Sequence, residues 1–136
     1  MADRDGQGHL SIDRVYDARR GEGAEGVPDG AATFLVDRLW PRGVKKTDLL
    51  LTGWPRELTP STTLRRQLHD GTLTWEQFGD AYRTELDGRH SAGELDDILT
   101  LLRQTLSERD VVLLFAGRDT VHTHARVLED WLDGVL

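Results

Sequence analysis

Near its end the chain carries five apolar residues without a break, Val111 to Phe115 (VVLLF), set between two helical patterns. A run this short and branched is a strand. With no polar position it has no face to offer to water, so it predicts a strand at the centre of a sheet. Ala32 to Val36 is a second continuous run, suited to a strand covered on both faces, whereas Leu10 to Tyr16 alternates apolar and polar residues.

Helix signals surround these strands. Ser61 and Thr74 read as N-caps, and Thr74 with Gln77 forms a capping box ahead of Trp75, Phe78, Tyr82 and Leu86 at helical spacing. Ser91 with Glu94 reads as another box, ahead of the stripe Leu95, Ile98, Leu99, Leu102 and Leu106. Asp119 or Thr120 then caps a last helix with Val121, Ala125, Leu128, Leu132 and Val135 on one face. This alternation predicts an α/β chain, a small layered fold with a mainly parallel sheet and flanking helices. Residues 1–136 are expected to form a single domain, with about 1–9 as a disordered N-terminal tail. The stretch RRGEGAEGVPDG, 19–30, reads as a long glycine-rich loop.

Composition narrows the function. With no cysteine among 136 residues, disulfides, thiolate metal sites and cysteine nucleophiles are excluded, and a reducing cytoplasm is permitted. No signal peptide or membrane span is read in the chain, so a cytoplasmic protein without a membrane role is expected. Lys+Arg 17 against Asp+Glu 24 gives a net charge of −7, which disfavours extended binding to nucleic acid unless arginines cluster locally.

The second apolar run ends in LVDRLWPRG, residues 35–43. Unpaired ions buried between sheet and helix cost several kcal/mol, so Asp37 and Arg38 belong at the strand's end. There Trp40 adds a flat apolar surface, Pro41 ends the ladder, and Arg42 with Gly43 opens a turn where backbone can approach a ligand. A guanidinium, an indole and free amides suit a planar anion or a phosphate. The even alternative is that Asp37 and Arg38 pair with other charges while Trp40 fills the core. The segment PSTTLRR puts Ser61 at a helix start with Arg65 and Arg66 one turn in, again suited to an anion, although a solvated face is the favoured reading of these two arginines.

After the third strand comes FAGRDTVHTHA, which should lie on the same sheet edge. A helical wheel puts His124 near the inward stripe and His122 outside it. Two histidines two apart diverge on a helix, and Asp119 with His122 would supply only two ligands, so no metal and no cofactor are expected. The expected site is a pocket for a small anion, a nucleotide or a nucleic-acid end. Arg38, Trp40, Arg42, Ser61, Arg65 and Asp119 would bind, and Asp37 or His124 would act as base if the chemistry is hydrolysis or group transfer. The rival is a non-catalytic binding or interaction module.

Together LVDRLWPRGVKK, TPSTTLRR, WEQFGDAYRTEL and LLFAGRDTVHTHARVL resemble the YeaO-like branch of the domain of unknown function 488 family, from about Ile12 to Trp131. The resemblance implies a small bacterial α/β protein and carries a fold rather than a reaction. Two departures bear on chemistry. Thr123 stands between the histidines where relatives tend to have Asn, and the broader family's Cys-His pair, whose His corresponds to His124, lacks its cysteine here.

Overall fold

The structure, a computed structural model, describes residues 8–16 and 30–136. Among these residues three strands, β1 (Leu10–Arg14), β2 (Ala32–Leu35) and β3 (Val111–Phe115), pair in parallel in the order β1-β3-β2. The five-residue apolar run is thus central. Its register sets Ile12 on one side of Leu113 and Phe34 on the other. Four helices are described: α1 (Thr62–His69), α2 (Trp75–Ser91), α3 (Asp96–Leu106) and α4 (His124–Val135). No helix among the described residues is long and apolar enough to cross a membrane.

Alternation along each strand divides the core. Val111, Leu113, Phe115, Phe34 and Val36 face the helices and pack with Phe78, Leu86, Leu99, Leu102, Leu128 and Leu132, all essentially buried. Val112, Leu114 and Leu35 face the other way, onto Val15, Val44 and Leu49. Each fully buried Leu or Phe stabilises the fold by roughly 1.5–3 kcal/mol relative to exposure, so VVLLF is stable only with both faces covered. The outer edge of β2 is partly covered too. Thr52 and Gly53 donate to Thr33 O, and Leu35 N donates to Gly53 O. Gly53 lies so close to the Phe34 ring that an added Cβ would sit 3.0 Å from it.

Helix starts follow the sequence in two places. The Ser61 hydroxyl accepts from Leu64 N at 3.1 Å, and Thr74 with Gln77 forms the reciprocal box. Two expected starts are corrected. Ser91 is the last residue of α2, not a cap. Gly93 (φ 80°) donates to His90 O and Glu94 N donates to Arg89 O, the two bonds of a Schellman closure. The chain then starts α3 after Leu95 with no side-chain cap, relying on Asp96 and Asp97 in the first turn to meet the helix dipole. Likewise α4 is capped by Thr123, whose hydroxyl accepts from Ala125 N, rather than by Asp119 or Thr120. Val121 precedes the helix and is 66% exposed, so it leaves the predicted stripe.

Gly8 and His9 also depart from the expected tail. Gly8 N donates to Leu106 O, His9 N to Asp110 Oδ1, and His9 O accepts from Val111 N, which extends the β1 pairing by one step. The rest of that tail, residues 1–7, and residues 19–29 of the glycine-rich loop lie outside the described residues.

Candidate functional site

All three strands deliver their carboxyl ends to one side, and a cleft of about 560 Å³ opens there. Its walls are the segments just past the strands: Tyr16 after β1, Asp37 to Arg42 after β2, and Ala116 to Asp119 after β3. This is where open parallel sheets hold ligands, because loops and helix starts converge beyond the strand ends. The volume suits a small organic ligand.

Asp37 is fixed from both ends of the residue. Its carbonyl accepts from the Trp54 indole at 2.7 Å, and its Oδ2 accepts from Ala116 N at 2.8 Å, joining the loop after β2 to the loop after β3. Trp54 is held in turn by Arg56, whose guanidinium lies 3.9 Å from the ring centroid, and by an edge contact with Trp40 at 5.6 Å. His124, the first residue of α4, places Nε2 2.8 Å from Val36 O. A carbonyl can only accept, so Nε2 carries the hydrogen and Nδ1 is the ring's remaining polar nitrogen. The same Nε2 is 3.2 Å from Asp37 Oδ1, yet that oxygen accepts no hydrogen bond from the described residues, so the contact is electrostatic.

Four arginines line the cleft: Arg38, Arg42, Arg65 and Arg118. Among the described residues none of the four pairs with a carboxylate. Arg38 donates from Nη2 to Pro60 O at 3.3 Å, while its buried Nε finds no acceptor among the described residues. Arg42 occupies the turn before Gly43 (φ 78°), and its carbonyl accepts from the Tyr16 hydroxyl at 2.9 Å. The arginines face two lining aspartates, Asp37 and Asp119. Asp119 accepts from the amides of Val121 and His122 at 2.9 and 2.8 Å, and these hydrogen bonds hold its carboxyl below the ordinary value.

Aromatic rings form another part of the wall. Trp75 stacks on Phe78 at 5.4 Å and on His122 at 5.1 Å, with interplanar angles of 23° and 21°. Trp40 donates from its indole to Val44 O at 2.6 Å and packs against the second core cluster, so it both fills and lines.

Of the residues singled out from the sequence, Asp37, Arg38, Trp40, Arg42, Arg65, Asp119 and His124 meet at this cleft. Ser61 does not. Its hydroxyl caps α1 and its amide donates to Glu85 Oε1 at 3.0 Å. Sequence reasoning missed Arg118, Trp75 and the supporting Trp54. Arg118 could have been found from its place in FAGRD, directly past the central strand. Nothing local marks Trp54, whose role depends on its reach across to Asp37.

A family model described as "Inactive DUF488-N3 subclade" matches residues 9–136. The chain is 37% identical over 125 residues to "Uncharacterized protein YeaO" of Escherichia coli, covering 91% of this chain and 96% of that protein. It is 32% identical over 108 residues to an uncharacterised protein of Mycobacterium tuberculosis, covering 79% of this chain and 85% of the relative. No solved structure gives a significant match.

Proposed function

The chain belongs to the DUF488 family, among YeaO-like proteins, and from that premise we propose that its cleft binds a small phosphate-bearing anion without turning it over. The observation that carries the reading is the set of four arginines around one cleft that have no carboxylate partner among the described residues, in a chain whose net charge is −7. Guanidinium forks match the oxygens of a phosphate, and they attract it most strongly where no carboxylate already occupies them.

Binding is favoured over hydrolysis or transfer because each acid–base candidate already holds a loop or strand end through one of its polar atoms. Asp37 and Asp119 accept from backbone amides, and the Nε2 hydrogen of His124 goes to Val36 O. The cysteine of the broader family's Cys-His pair is absent, which accords with the description of the subclade as inactive. A cytoplasmic setting, where phosphate esters are abundant, belongs to the same reading.

Arg42→Ala tests it. The exposed side chain is lost, while the backbone carbonyl that holds Tyr16 remains, so folding should be unaffected. Charge-assisted contacts of this kind contribute ~1.5–3 kcal/mol, so affinity for inorganic phosphate or pyrophosphate, measured by calorimetry, should fall by roughly ten- to a hundredfold. A parent protein that binds neither anion, or a variant that binds as well as the parent, would overturn the proposal. So would steady release of phosphate from a simple phosphate monoester by the parent.

A further inference from the structure

We propose that the anion held in this cleft carries a flat aromatic ring, so that the ligand class is a nucleoside monophosphate with its base laid against His122. This rests on the anion reading above and adds the second half of the ligand. The wall that supports it is a ladder of three rings: Phe78 is buried in the core, Trp75 is half-buried, and His122 is exposed. All three line the cleft. Each ring limits the freedom of the next, so His122 is backed by two stacked aromatics although it sits outside the last helix on an irregular segment. Its backbone is fixed as well, since His122 N donates to Asp119 Oδ1.

A preformed, exposed ring at the end of a stack is a surface on which another π-face can continue the series with little ordering cost. Leu39, 69% exposed, adds apolar surface to the same lining. Inorganic phosphate would use the arginines and leave this wall wet. A sugar phosphate without a base would do the same. A base joined to a phosphate through a sugar can use both walls, and a cleft of about 560 Å³ has room for it.

The experiment compares three ligands by calorimetry: inorganic phosphate, ribose 5-phosphate and AMP. Stacking of one base should make AMP bind about tenfold or more tighter than ribose 5-phosphate. In His122→Ala that ratio should fall to about one, and in His122→Phe, which keeps a flat ring, it should persist. If phosphate and ribose 5-phosphate bind but AMP binds no tighter, the ring proposal is overturned and the anion reading stands. If none of the three binds, both are overturned. A ratio that survives in His122→Ala overturns the assignment to this wall. A 5′-phosphorylated single strand separates two sources of the same chemistry: tighter binding than AMP identifies a strand end, weaker binding a free nucleotide, and either result requires the His122 dependence.

Discussion

At the scale of single residues, the cleft shows acidic side chains used as joints. Asp37 ties the loop after β2 to the loop after β3, and Asp119 ties two successive amides ahead of α4. The second joint has a pH signature. Because the amides of His122 and Val121 stabilise the carboxylate, Asp119 has a lowered pKa in the folded protein. A depressed acid contributes stability that is present above its unfolded value, ~3.9, and lost as pH falls through the lowered folded value. The amide resonances of Val121 and His122 should therefore hold steady while ordinary carboxylates protonate, and shift only at more acid pH. An NMR titration in which they move with a midpoint at or above the ordinary value would refute this. Asp37 was legible because it sits two residues past the end of β2, and His124 because a helical wheel puts it near the inward stripe of the last helix. Their contact through Nε2 was not, since it depends on Val36 O competing for the same hydrogen.

At the scale of elements, β2 and β3 were readable as short, unbroken apolar runs bounded by turn signals, and β1 from its alternation. The helix ends were less so, because start and stop signals overlap. Ser91 and Glu94 have the spacing of a capping box, but Gly93 between them closes the preceding helix through backbone bonds and Ser91 stays inside that helix, so it does not cap the next. In DTVHTH several residues could cap α4, and Thr123 does so in the structure where His124 reaches Val36 O. The Schellman closure makes a paired prediction. An added Cβ at Gly93 meets Asp96 Oδ2 at an ordinary 3.5 Å, so the cost of Gly93→Ala is conformational, about 1–2 kcal/mol for a side chain at φ 80°. Gly88, inside α2 with nothing within 4 Å of an added Cβ, should give the opposite sign, with Gly88→Ala stabilising by roughly 0.5–1 kcal/mol. Urea unfolding of the two variants checks both. Equal effects would mean that the turn after α2 does not depend on the left-handed glycine.

At the scale of the whole molecule, the arginine cluster sits in a strongly acidic chain, and the two charges act over different distances. Within the cleft the guanidiniums are a few ångströms from a bound anion, whereas the remaining acidic surface acts over lengths that physiological salt screens at about 8 Å. A small phosphate should therefore bind, while a rigid duplex, which must lie along acidic surface outside the cleft, should bind more weakly than AMP in fluorescence competition. Tight, steeply salt-dependent binding of duplex DNA would contradict this. The sequence put Arg38 and Arg65 in one expected pocket, but that Arg118 joins them needs the strand order, which local patterns do not encode. That order has a consequence for how the protein is made. β1 and β2 are not neighbours in the sheet; each is joined to the other through β3, whose first residue is Val111. On a ribosome, both edge strands leave the tunnel long before the strand that joins them has been translated, so the sheet, and the cleft beyond it, can close only after Phe115 has emerged.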